Sequence, residues 1–239
     1  MIIEPIFATP LVKLKSHTEY LELIEEYVLS LPRTKNTYNT TSKDKIVLNN
    51  DELKNLNSHI NEQVNEFYES VAGIPESVKP FITQSWCTFS ETGESMHEHS
   101  HPNSLYSGVY YVNANPETDY IKFKKPTQHE PVMWYKKVLN IYNAYEFRFP
   151  VASGDLIMFP SSIPHSFGSS ESEGTRISIA FNTFLAGSLG AYDALTNLNI
   201  GPFEIQRPGE QVNLPEGVTI VDDEDKKEIN GDETIELKS

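Results

Sequence analysis

Three of the chain's seven histidines fall within five residues, in the run Met96-His97-Glu98-His99-Ser100-His101-Pro102. On a strand, side chains two apart face the same way, so His97, His99 and His101 would share one face, with Glu98 and Ser100 on the other. Two imidazoles at that spacing on a rigid strand can present ring nitrogens to a single metal ion. A further histidine ends residues 149–166 (FPVASGDLIMFPSSIPHS), where Gly154-Asp155 turns into an apolar stretch and a Pro/Ser corner delivers His165. Eleven residues later Arg176-Ile177-Ser178 opens an apolar, strand-like run (ISIAFNTF from residue 177). Arg176 and Ser178 would share a face there, offering a guanidinium fork and a hydroxyl to one carboxylate. Each residue alone has a plainer reading: His165 as a turn residue, Arg176 in a surface ion pair, Ser178 as small core filler. Chance rarely supplies all of them in this order.

Short strands are needed to hold such a set, and the sequence from residue 81 onward supplies them. Runs at 82–90, 107–112, 120–123, 132–134, 139–142, 145–149, 155–159 and 176–184 are rich in β-formers and separated by Gly, Pro, Asn and Ser turns, the signature of a barrel or sandwich. Upstream, residues 6–15 (IFATPLVKLK) read as an opening strand. Residues 18–31 and 51–71 carry apolar side chains at helical spacing, the second helix with Asp51 as a candidate cap. Residues 33–50 are polar and read as a loop. The expected organisation is 1–80 as N-terminal strand and supporting helices, 81–204 as the β core, and 205–239 as an acidic tail. Residues 222–239 hold eight acidic and three basic side chains and no aromatic, and so read as disordered.

Composition bounds the function. Of 239 residues 38% are hydrophobic, with 12 Phe and 12 Tyr, enough for a real core. The formal charge of −15 argues against nucleic-acid backbones and anionic membranes as partners. The single cysteine, Cys87, allows neither an internal disulfide nor a cysteine-based zinc site, and it reads as a core residue. No window approaches a membrane span and no leader pattern opens the chain, so the expected location is cytoplasmic.

Residues 86–184 resemble the 2-oxoglutarate/Fe(II)-dependent oxygenase superfamily, and more narrowly a group of oxygenases common in marine bacteria and their phages. The residues that carry the resemblance are His99 to Ser104 (HSHPNS), Ser107 to Val112 (SGVYYV), Gly154-Asp155-Leu156 with Phe159-Pro160, His165, Arg176 to Ile179 (RISI) and Phe181-Asn182. The opening run from Ile6 to Leu11 (IFATPL) also fits that group. The resemblance implies a double-stranded β-helix, a jelly-roll and cupin-like core that is mainly β with supporting N-terminal helices. It implies His99 and His165 as iron ligands, Arg176 with Ser178 on the far carboxylate of 2-oxoglutarate, and O₂ as the oxidant. One of Tyr110 and Tyr111 would add a hydrogen bond to the co-substrate, since alternation lets only one face inward. No catalytic residue is implied beyond the metal ligands.

The superfamily usually places Asp or Glu two residues after the first ligand, giving a two-histidine, one-carboxylate centre. Here that position is His101, and Glu98 should point away. The centre is therefore either a triad of His99, His101 and His165 or one that recruits a carboxylate from elsewhere, with His97 as a weaker alternative ligand. Two other classes compete: a three-histidine cupin-type dioxygenase that uses no keto acid, and a non-catalytic β-barrel binding module. The substrate is expected to be a small molecule or peptide. The lysines of residues 113–148 form either a solvated hairpin or a basic rim for an anionic substrate. A homodimer through the N-terminal helices is a possible assembly.

Overall fold

A computed structural model describes residues 2–15, 20–126, 135–171 and 174–201. In chain order the elements are β1 (Val12–Lys15), α1 (Leu21–Ser30), β2 (Arg33–Lys35), β3 (Thr40–Ser42), α2 (Lys54–Phe67), β4 (Lys79–Ser90), β5 (Met96–His99) and β6 (Tyr106–Asn113). They continue with β7 (Tyr120–Lys124), β8 (Glu146–Pro150), β9 (Asp155–Pro160), β10 (His165–Phe167), β11 (Arg176–Leu189) and β12 (Leu198–Ile200). Among the described residues they form a larger sheet of order β1-β9-β6-β11-β4-β3-β2, with β12 also on β11, and a smaller sheet of order β5-β10-β7-β8. The pairings within both sheets are antiparallel. Two antiparallel sheets with helices on one outer face make the expected jelly roll.

β11 is the spine, because both of its faces are used. Ile177, Ile179 and Phe181 point to the core beneath the helices, with Leu56, Ile60, Val64 and Phe67 of α2. Those helical residues recur at three- and four-residue spacing on one stripe, which is why the segment is an amphipathic helix. Burying each side chain contributes about 1.5–3 kcal/mol. The other face of β11 carries Arg176, Ser178, Ala180 and Asn182, in register with Ser90, Thr88, Trp86 and Gln84 of β4. This face looks into the space between the sheets, where Tyr111, Ile121, Phe123, Ile157 and Phe159 form a second apolar cluster.

Close packing and one tight turn fix the frame. Gly108 on β6 lies so near Phe181 that an added Cβ would sit 2.1 Å from the ring. Gly154 has φ +85, a left-handed conformation that glycine adopts at little cost. Next to it the Asp155 carboxylate accepts the Ala152 N–H at 2.8 Å and pairs with Lys13 of β1 at 2.9 Å. The Gly-Asp pair thus both launches β9 and anchors the first strand.

Several expected elements differ. Residues 33–50 are not one loop, for they contain β2, β3 and a short 3-10 turn at Val47–Asn49. These strands are too short and polar to show periodicity, and pairing with β4 forms them. Only Val12–Lys15 of the opening stretch is a strand. Asp51 does not cap the second helix; it starts a 3-10 turn preceded by Asn50, without a side-chain cap. Residues 139–142 form a turn instead of a strand, because Asn140 and Asn143 bond the local backbone through their side chains. The expected strand at 132–134 and the acidic tail lie outside the described residues.

Candidate metal centre and buried arginine

His99 ends β5 and His165 begins β10, and the two are paired directly across the strands. Their rings lie 4.4 Å apart, centroid to centroid. His101, just beyond β5, is fixed by its own backbone N–H, which bonds the Ser161 carbonyl at 2.9 Å. Its ring lies 5.0 Å from that of His165 and 5.1 Å from that of His99. One ring nitrogen from each of the three falls within 4.8 Å of the others, a spacing suited to one ion.

Hydrogen bonds set the tautomers. The His99 Nδ1–H donates to the His97 carbonyl at 2.8 Å, and the His165 Nδ1–H donates to the Ile163 carbonyl at 3.0 Å. The His101 Nδ1–H donates to the Asn182 side-chain oxygen. All three acceptors are oxygens, so each Nε2 is left with its lone pair free, which is how a second layer orients imidazole ligands. Burial lowers all three pKa values from their ordinary 6.5, that of His165 to about 3. At neutral pH the imidazoles are therefore uncharged and ready to bind a cation.

A hydroxyl network braces His101. Ser107 contacts Asn182 at 2.9 Å, His101 at 3.0 Å and Ser161 at 2.8 Å, and Ser161 contacts Ser104 at 2.7 Å. Asn103 sits at φ +55, a left-handed turn that asparagine tolerates. The His-Pro-Asn-Ser run thus folds back on β6 and β11.

Beside Phe167, on the strand that carries His165, lies a buried, charged group of side chains. Arg176 is only 4% exposed, and Ser178 and Tyr111 are buried beside it. The guanidinium lies 4.1 Å above the Phe167 ring and 5.2 Å from the Tyr111 ring, with Nε 3.9 Å from an Asp119 carboxylate oxygen. Arg176 Nε and Ser90 Oγ are buried without a hydrogen-bond partner. Burial pushes the Tyr111 hydroxyl up to about 12, with Arg176 pulling the other way, so it remains a proton donor at neutral pH.

A model of the family described as "Putative 2OG-Fe(II) oxygenase" matches residues 84–182, which hold both the histidine cluster and Arg176. This segment matches the 2OG-Fe(II) oxygenase family. Solved structures share its fold at low identity. The non-heme alpha ketoglutarate dependent epimerase SnoN from nogalamycin biosynthesis is 13% identical, with TM-score 0.57, over 90% of this chain and 92% of that one. HygX from Streptomyces hygroscopicus, solved with nickel, 2-oxoglutarate and hygromycin B, is 11% identical, with TM-score 0.54, over 73% and 82%. An oxidoreductase of the 2OG-Fe(II) oxygenase family from Burkholderia pseudomallei is 13% identical, with TM-score 0.53, over 72% and 83%. A search of curated proteins returned no match.

Within this segment the structure brings together His99, His101 and His165, and separately Arg176, Ser178 and Tyr111. Tyr110 faces the opposite way, into the core beneath the helices, which answers which tyrosine looks inward. His97 is exposed and packs at a tilt against Tyr38, ring centroids 5.1 Å apart, outside the convergent group. Glu98 turns to the outer face and pairs with Lys124 at 3.1 Å. No carboxylate joins the metal-spaced group among the described residues, so the arrangement found is the all-histidine one. Sequence reading assigned no role to Asn182, Ser107, Ser161, Ser90, Asp119 or Phe167. The first two lie in the quoted motifs, and that was their only signal.

Proposed function

We propose that the domain holds Fe(II) on His99, His101 and His165 and binds 2-oxoglutarate between that centre and Arg176. The carrying observation is the convergence of three neutral imidazoles, each with Nδ1–H committed to an oxygen, with a buried arginine over the Phe167 ring on the strand that carries His165. The donor set suits a divalent first-row metal. The side chains around Arg176 suit the keto acid: a carboxylate there would satisfy Arg176 Nε and Ser90 Oγ together, and Ser178 and Tyr111 add hydroxyl donors. His165 and Phe167, the ring beneath the guanidinium, are two steps apart along the strand. That is about 7 Å, the length scale of a five-carbon diacid.

When bound, iron and keto acid would supply the oxidising chemistry, in which O₂ converts 2-oxoglutarate to succinate and CO₂ and leaves one oxygen atom for the substrate, as in a dioxygenase. The chain's own residues do the rest. The Nδ1 acceptors keep the imidazoles aimed. Arg176 fixes one end of the co-substrate through charge-assisted bonds. Phe123, Phe159 and Ile121 keep water from the inner wall. A cupin-type site without keto acid, or a binding module, leaves the buried Arg176, Ser178 and Tyr111 unexplained. We further place the protein in the cytoplasm, a reading supported by its one cysteine, which is buried and unpaired. No helix among the described residues is long and apolar enough to cross a membrane.

Turnover tests this reading. Succinate formation should require both Fe(II) and 2-oxoglutarate. Arg176→Met should lower it at least about a hundredfold, since it strips a buried anion of its charged partner. Succinate formation undiminished in Arg176→Met would overturn the co-substrate pose.

A further inference from the structure

The sequence offered the lysines of residues 113–148 as a rim for an anionic substrate, but the structure shows three of them engaged elsewhere. Lys124 pairs with Glu98, Lys122 lies 3.6 Å from Glu146, and the Lys136 ammonium sits 3.5 Å above the Tyr145 ring. On β7 the apolar Ile121 and Phe123 turn inward, which leaves the two β7 lysines on the outside of the smaller sheet.

The free positive charge lies on another side of the metal centre. An open cavity of about 610 Å³ borders His99 and His101 and is walled by Trp86, Gln84, Thr41 and Asn36. A second cavity of about 390 Å³ shares Asn36, Thr41 and Trp86 with it and runs out to Lys35 and Lys45. The two form one path from the imidazoles, across the indole, to a pair of ammonium groups. Among the described residues no Asp or Glu lines either cavity, in a chain with 34 acidic residues against 19 basic. Neither lysine pairs with a carboxylate among the described residues.

Lys45 is positioned. Its ammonium donates to the Ser42 carbonyl at 2.7 Å and to the Thr41 hydroxyl at 3.1 Å, which leaves a third N–H for a ligand. Lys35 sits on the edge strand β2, with an exposed side chain. Trp86 has its ring 5.6 Å from that of His101, so it stands at the threshold of the metal centre. An indole face takes flat or ring-shaped groups.

Resting on the oxygenase reading above, we propose that the substrate is a ring-bearing small molecule with an oxyanion substituent. The ring packs on Trp86, the oxyanion (phosphate or carboxylate) is met by Lys35 and Lys45, and the carbon to be oxidised is directed at the metal. The polar, uncharged walls from Gln84, Thr41 and Asn36 suit hydroxyl or amide groups between the two ends.

The test needs neither iron nor 2-oxoglutarate, so its outcome is separate from that of the oxygenase reading. Trp86 fluorescence is followed in a Trp134→Phe background while phenyl phosphate, phenylacetate, benzyl alcohol and benzylamine are titrated in turn. The two anions should quench saturably and at least about tenfold more tightly than the neutral and cationic probes. Lys35→Ala/Lys45→Gln should remove that preference. Charge-assisted contacts to two ammonium groups warrant a change of that order. Lys35→Ala alone, an exposed edge-strand change, should weaken the anions several-fold with an unchanged circular dichroism spectrum. Equal quenching by neutral or cationic probes, absence of quenching by either anion, or an unchanged preference in both lysine variants would overturn the proposal. The relative strength of phenyl phosphate and phenylacetate tells which oxyanion the site prefers, and a preference for either supports it.

Discussion

At the scale of single residues, the chemistry rests on where protons sit. The three imidazoles proposed as ligands are ordinary groups, made fit for a metal by neighbours that accept from Nδ1 and by burial that keeps them neutral. Asn182 is the acceptor for His101, so Asn182→Ala should weaken Fe(II) or Co(II) binding about tenfold, measured by metal titration. Ser107, also in contact with that nitrogen, keeps the loss from being larger. Unchanged affinity would mean that Asn182 does not orient His101. The ligands and Arg176 were legible in sequence because histidine and arginine are sparse there and their spacing is distinctive. The second layer was not. Asn and Ser are common side chains, and Asn182 meets His101 across 81 residues through strand register alone. Likewise, alternation said that only one of Tyr110 and Tyr111 turns inward, but only packing says which.

At the scale of elements, β11 connects the helix-backed core to the site, and its position depends on close approach to β6. Gly108→Ala should therefore destabilise the fold by about 1–3 kcal/mol or more, because the Phe181 ring it meets is fully buried and cannot move aside. A chemical denaturation midpoint that does not move would show the contact to be slack. Long amphipathic helices and long apolar strands were readable from periodicity, as α2 and β4 show. Two kinds of element were not. β2 and β3 are short, polar and formed by pairing, and residues 139–142 look like a strand by composition but are bent by asparagine side chains. β5 and β10, which carry two of the proposed ligands, hold four and three residues, too few to show a period of their own.

At the scale of the whole molecule, the buried histidines link stability to pH. Their folded pKa values lie below the ordinary 6.5, so below that pH the unfolded chain binds more protons than the native one. Stability of the metal-free protein should be full above about pH 6.5 and fall as pH drops toward 3, where His165 itself titrates. Thermal melts between pH 8 and pH 4 should show this, and bound metal should shift the fall to lower pH by holding the imidazoles unprotonated. A melting temperature that rises with acidification would contradict the burial argument. The central claim is that an all-histidine centre and a buried arginine together hold Fe(II) and 2-oxoglutarate. It is tested most directly by adding Fe(II), then 2-oxoglutarate, to the metal-free protein without oxygen, and watching for the visible iron-to-keto-acid charge-transfer band. The band should appear in the wild type and be lost in His99→Ala and in Arg176→Met. Iron that binds without producing a band would contradict the claim and favour a three-histidine centre that uses no keto acid.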